Sequence, residues 1–241
     1  SAGALNLASL LAVATTGAVD VTQAGNAFDS IAGSAGGAFS ATTTRPLSLG
    51  PGGVAATGGD VSLAAPSLSL AQDLSASQAG ARIALTTPGG ITQSAGAITT
   101  SATGRLDPFS DGAATQTGGT ISTGTLRRRN AAATGAGGVL TATQSGNALG
   151  TLDALSSGAV TVSAAALTPA SGLTVAQAAG TSVSLTSKAG DLVLTGPVRG
   201  ASVSLTTSST VAGEADIRTS SGGVVTGTAP ASGGAVLTTS A

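Results

Sequence analysis

The chain has 241 residues, of which 41% are hydrophobic, 8% charged and 1% aromatic; its formal net charge is -1, and it contains no Cys, Met, Trp, Tyr or His. Disulfides, Ser–His–Asp and Cys–His catalytic arrangements and the usual His/Cys zinc sites are therefore excluded. So much aliphatic residue with so little net charge argues against a solvated coil, and a near-neutral balance gives no general attraction to nucleic acid or to an acidic membrane surface.

Burial of many Val and Leu side chains without aromatics calls for a thin core repeated many times. No apolar run approaches the ~18 residues that span a bilayer. The chain opens on Ser1 without the basic and apolar regions of a signal peptide, and reads as a processed piece of something longer.

In chain order, residues 5–14 (LNLASLLAVA) are the one stretch whose apolar spacing admits a helix. TQAGNAFDSI (22–31) follows, and TQSGNALGTL (143–152) repeats it far downstream. Phe39, Val61 and Ile83 stand 22 residues apart, and each opens a short alternating segment. Leu47-Ser48-Leu49, Leu68-Ser69-Leu70 and Ile91 form a second series spaced by 21 and 23. The theme returns in Val160-Thr161-Val162, Val183-Ser184-Leu185 and Val203-Ser204-Leu205. Such alternation, rich in Val, Ile and Thr, predicts short strands, and TGGD (57–60), TPGG (87–90) and KAGD (188–191) predict the turns between them.

Two periods are superposed. Gly25 and Gly146 differ by 121 positions, as do Ser1 and Ser122, which divides the chain into tandem units 1–121 and 122–241 of one continuous shaft. Within each unit the spacing is 20–23 residues, too long for the strands of a sandwich. It suits a right-handed parallel β-helix, or β-solenoid, whose coils stack at roughly 4.8 Å. About eleven or twelve coils then make a rod roughly 50–60 Å long. Asn26 and Asn147 fall at matching turns, where Asn tolerates left-handed backbone, while Phe28, Leu149, Ile31 and Leu152 point inward.

The runs GNAFDSIAGSAGGAFSATTTRPLSLG (25–50), GGDVSLAAPSLSL (58–70) and GDLVLTGPVRGASVSLTTSS (190–209) resemble the repeats of large filamentous-haemagglutinin-like exoproteins of Gram-negative bacteria. The resemblance covers most of the chain. It implies a right-handed β-helix shaft, two-partner secretion through an outer-membrane transporter, an extracellular or cell-surface location, and a role in adhesion, biofilm or filament building.

Three clusters carry candidate chemistry. Glu214, Asp216 and Arg218 alternate along one strand face, either as the carboxylate pair of a glycoside-cleaving site or as a self-compensating outer surface. Arg127, Arg128 and Arg129 form the one basic run; it fits an anionic glycan, lipopolysaccharide or an acidic neighbour, or else a solvated loop. The segment 104–112, with Asp107, Phe109 and Asp111, reads as a loop leaving the coil, a binding surface or a spacer packing Phe109 on the shaft. No Walker phosphate loop, G-x-G-x-x-G, G-x-S-x-G or calcium-binding GGxGxD motif occurs, and no cofactor or metal is expected.

The expectation is a structural, non-enzymatic shaft segment of a secreted adhesin or extracellular filament, partnered by neighbouring repeats, like filaments or surface glycans. A homopolymeric fibre subunit is the alternative. A carbohydrate-active β-helix enzyme is poorly served by three Phe as the only aromatics. An ice-binding face would show Thr-x-Thr rows, and Thr42–Thr44 and the other Thr pairs do not recur with the coil.

Overall fold

Alternation of aliphatic and small polar residues sets the local conformation. In Phe39–Thr42, Val61–Ala64 and Leu68–Leu70 every second side chain is buried and those between face outward. A strand this short gains little by itself, so each lies on its counterpart about one coil later. The structure, a computed structural model, describes residues 3–167, 173–208, 216–220, 223–227 and 235–240, the last as backbone only. Its 25 strands join in one continuous network of parallel pairings, and no helix occurs among the described residues.

Three ladders form the walls of a β-solenoid. The first climbs through Val19–Val21, Phe39–Thr42, Val61–Ala64, Arg82–Thr87 and Arg105–Ser110, then the second half of Thr120–Arg128, Ala148–Leu155 and Leu173–Ala179. The second includes Leu47–Ala56, Leu68–Leu70, Ile91–Gln93, Ala114–Gln116, Leu140–Ala142, Val160–Ala166, Ser182–Ser187 and Ser202–Ser208. A shorter third ladder links Val54–Ala56 with Leu74–Ala76, Ala97–Thr100 and the start of Thr120–Arg128. Gly52 (φ 91°) and Gly53 (φ 68°) turn the chain between two walls; a Cβ on Gly53 would stand 2.1 Å from the Asp73 carbonyl oxygen.

The core is a set of stacked columns. Leu47, Leu68, Ile91, Ala114, Leu140, Val160, Val183 and Val203 follow one another in register and are all buried. Each Leu or Ile so buried contributes roughly 1.5–3 kcal/mol. The coil has roughly 22 residues, and about 9 turns are formed. That is fewer than the eleven or twelve obtained by dividing length by period. The coil from Leu126 to Leu152 is lengthened to 26 residues, and Asn6–Ala14 and Ala235–Ser240 lie in coils incomplete among the described residues. The 121/122 unit boundary falls inside the strand Thr120–Arg128, in the part that belongs to the third ladder.

Residues 5–14 are not helical. Asn6–Ala14 is a strand paired with Ala27–Ala35, and it leaves Leu7 (40%), Leu11 (73%) and Val13 (61%) exposed. A partner 21 residues away decides its conformation, and local spacing carries no trace of that partner.

Phe28, Ile31, Leu149 and Leu152 are fully buried, as the repeat implies. Asn26 and Asn147 are also buried, each 1% exposed, and neither adopts a left-handed conformation; Gly25 (φ 88°) does so beside Asn26. Asn26 Oδ1 accepts the Leu5 N–H at 2.9 Å, and its Nδ2 donates to the Val21 carbonyl at 2.9 Å. Asn147 Oδ1 likewise accepts the Ile121 N–H at 2.9 Å, and Asn147 pairs with the Gln116 amide through bonds of 2.9 and 2.7 Å. The repeated word thus ties one coil to the coil before it. Removing either Asn leaves a backbone N–H without its acceptor. Asn26→Ala is expected to cost about 1–2 kcal/mol and Asn147→Ala about 2–3 kcal/mol, because the latter also strands Gln116; urea unfolding of both variants measures the difference.

Candidate functional site

Charge concentrates on one wall. Arg82, Arg105 and Thr125 stand in register on the first ladder, and the next outward column carries Asp107, Arg127 and Asp153. Asp107 is wholly buried beneath two arginines: Arg105 Nε donates to Asp107 Oδ2 at 2.8 Å, and Arg82 pairs with the same oxygen. The Arg82 guanidinium also lies over the Phe109 ring, 4.9 Å from its centroid, a cation–π contact that covers the ring. One coil on, Arg129 Nη2 grips both oxygens of Asp153 at 2.7 and 2.9 Å, and Arg127 Nε approaches the same carboxylate at 3.6 Å. Four guanidiniums thus face two carboxylates, an excess of two positive charges on a chain otherwise sparing with charge.

Arg128 belongs to a different environment. Strand alternation turns it inward, and it is fully buried. Its acceptors are mainly neutral carbonyls: Nη1 donates to Pro108 O and Arg129 O, each at 2.8 Å, and Nη2 to Gly112 O at 2.6 Å. Desolvation lowers its pKa from the ordinary arginine value to about 10, partly opposed by the Asp111 carboxylate. Arg128 remains charged at neutral pH. Because the folded value is the lower one, burial of this cation opposes folding below about pH 10, and that opposition fades as pH rises through it. Gly137 makes room for the group, since a Cβ there would lie 2.5 Å from Arg128 Cζ and 2.5 Å from the Arg129 carbonyl oxygen.

The segment 104–112 does not leave the coil. Arg105–Ser110 is a strand paired along its whole length with Arg82–Thr87, and Asp107 and Phe109 are buried in it. The Asp and Pro residues suggest a loop when read alone; Arg105 of the same strand and Arg82 of the adjacent coil compensate Asp107 and so keep the segment in the ladder. Only Asp111 is exposed, and its Oδ1 accepts the Ala131 N–H at 3.1 Å. Nor is the basic run a solvated loop: Arg127 and Arg128 end a strand, and Arg129 is 8% exposed. The structure brings together Arg127, Arg129, Asp107 and Phe109, and adds Arg82, Arg105 and Asp153, which spacing in the sequence did not single out.

In this cluster each carboxylate is engaged by two guanidiniums. Asp216 and Arg218 pair on the outer surface at 3.1 Å, and Arg218 also meets Asp191 at 2.9 Å; Glu214 lies outside the described residues. No group of acidic side chains suited to a metal ion, and no helix long and apolar enough to cross a membrane, occurs among the described residues.

The second ladder has a contrasting outer surface. Ser9, Ser30, Ser48, Ser69, Thr92, Thr115, Thr141, Thr161, Ser184 and Ser204 follow one another in register, one hydroxyl per coil. Thr-x-Thr spacing does not pick out this column because Ser and Thr interchange within it. Only alignment of the coils reveals it.

No protein-family model, no curated protein and no solved structure matches the chain.

Arg128→Ala opens a cavity and removes the guanidinium's bonds to the Pro108, Gly112 and Arg129 carbonyls, with an expected loss of about 2–4 kcal/mol. Gly137→Ala is expected to lose a comparable amount by displacing the guanidinium. Arg127→Ala, at a half-exposed pair, is expected to lose less than about 1 kcal/mol. Denaturant midpoints of the three variants check this order.

Proposed function

We propose that the chain is a structural shaft segment of a secreted bacterial surface adhesin or extracellular filament, a rigid spacer that holds other parts of a longer protein away from the cell. The observation that carries this reading is the unbroken stacking of aliphatic columns along the coil axis. Every coil uses the same few residue types, and the hollows along Ser156–Ala201 and Asp29–Thr92 are open rather than deep. The resemblance of the repeats to filamentous-haemagglutinin-like exoproteins supports the secreted, two-partner route and the adhesive or biofilm setting. The arginine-rich wall supports contact with acidic groups, such as those of surface glycans.

A second reading, a homopolymeric fibre subunit, is favoured by one feature. The outer edge of Asn6–Ala14 has no strand partner among the described residues and displays Leu7, Leu11 and Val13. Such an edge recruits another strand.

In the source organism, antibody raised against this chain is expected to label intact cells or sheared filaments. Label that appears only after lysis overturns the surface reading. Deleting residues 122–241 from the full-length protein is expected to shorten its rod in electron micrographs by roughly 25 Å, at about 4.8 Å per coil. An unchanged length overturns the spacer reading.

A further inference from the structure

We propose that the Ser/Thr column on the second ladder is a lateral docking face for a second copy of this chain, so that shafts associate side by side. The proposal deepens the shaft reading by naming a partner and the surface that meets it. It rests on three features of the column.

The first is continuity. Ten strands in succession each present one hydroxyl at the same register, from Ser9 to Ser204, which at about 4.8 Å per coil is a strip roughly 43 Å long. The second is the absence of charge. From Leu47 onward, none of the eight strands bearing the column contains a charged residue, whereas the neighbouring wall carries Arg82, Arg105, Arg127, Arg129, Asp107 and Asp153. Two copies of the column therefore approach without like-charge repulsion. The third is unused hydrogen-bonding capacity. Ser48 donates to the Asp29 carbonyl at 3.0 Å, and the other hydroxyls of the column have no partner among the described residues.

These features select a second copy over other occupants. A hydroxyl both donates and accepts, so a column of hydroxyls is complementary to itself. Two identical solenoids also share the same rung spacing, so contacts made at one coil recur at every other coil; a lattice of different repeat falls out of step. An open trough of about 570 Å³ beside Pro46, Ser48, Ser69, Gly90 and Thr92 gives the approaching hydroxyls somewhere to seat; the one charge on its rim, Asp29, is paired with Arg45. A strip one short strand wide covers roughly 450 Å² per partner, at the low end for a specific interface. Pairing of this chain is accordingly weak, and strengthens in proportion to the number of coils aligned.

Small-angle scattering over a concentration series separates the modes of association, because side-by-side pairing raises the cross-sectional radius and leaves the rod length unchanged. That result is expected for the native chain. Thr92→Lys/Thr115→Lys/Thr141→Lys is expected to abolish it, with strand content checked by circular dichroism. Should the triple variant not fold, the single exposed change Thr92→Lys is expected to weaken pairing by at least about tenfold. Ser40→Lys/Ser62→Lys, on the other wall, is expected to leave pairing intact. A rod that lengthens at constant cross-section assigns association to the Asn6–Ala14 edge and overturns the proposal. A rod that stays single at every concentration also overturns it, as does pairing insensitive to the column substitutions. Retention of a persistently single chain on cellulose, lost in the Thr92→Lys variant, gives the column to a carbohydrate lattice instead. None of these outcomes bears on whether the chain is a surface shaft, which the labelling and deletion experiments decide separately.

Discussion

Each coil of this chain satisfies its backbone only by lying on the next one. A three-residue strand such as Leu68–Leu70 has no hydrogen bonds of its own to make; its N–H and C=O groups reach Leu47–Ala56 on one side and Ile91–Gln93 on the other. Every other feature follows from keeping that stack in step. Small outward residues keep the walls flat, aliphatic columns fill a narrow interior, and glycines stand where carbonyls of the adjacent coil pass too close for a Cβ, as Asp73 does at Gly53. The buried Asn26 and Asn147 belong to the same scheme. Each takes a backbone N–H of the coil before it, where the chain turns too sharply for the ladder to do so.

Buried polar groups also collect acceptors at the corners of the coil. Arg128 is the extreme case. Pro108, Gly112 and Arg129 present carbonyls at a corner of the coil, and one guanidinium collects them, at the expense of losing its own hydration. The neighbouring Arg129–Asp153 and Arg105–Asp107–Arg82 groups lie along the same wall, where opposite charges from successive coils meet. Arg82–Asp107 and Arg129–Asp153 are contacts between coils, and so they bind the stack along its axis as the hydrogen bonds do, while Arg105–Asp107 lies within one strand. The excess of guanidinium gives the wall a sign, and this separates it from the uncharged Ser/Thr wall beside it. A rod with one charged and one neutral hydroxyl-bearing wall has directions as well as length.

Much of this architecture was legible in the sequence. The 22-residue spacing of Phe39, Val61 and Ile83, the alternation in Leu47-Ser48-Leu49 and the absence of sulfur residues and scarcity of aromatics determined a parallel solenoid with a thin aliphatic core, because coil period and side-chain alternation are both one-dimensional properties. The repeat of Gly25–Asn26–Ala27 at Gly146–Asn147–Ala148 likewise placed Phe28, Leu149, Ile31 and Leu152 inside.

What the tertiary structure alone decided was which residues of different coils stand beside one another. Asp107 looked like a loop residue until Arg82 and Arg105 were set against it, and Arg128 looked like part of a surface run until alternation carried it inward. Residues 5–14 became a strand because Ala27–Ala35 lies alongside them. The hydroxyl column is hidden along the chain because its members are 18 to 26 positions apart, at uneven intervals. Turns of variable length blur register along the chain, and the backbone hydrogen bonds between coils restore it in space. In this protein composition and period determine the rod, and register determines its faces.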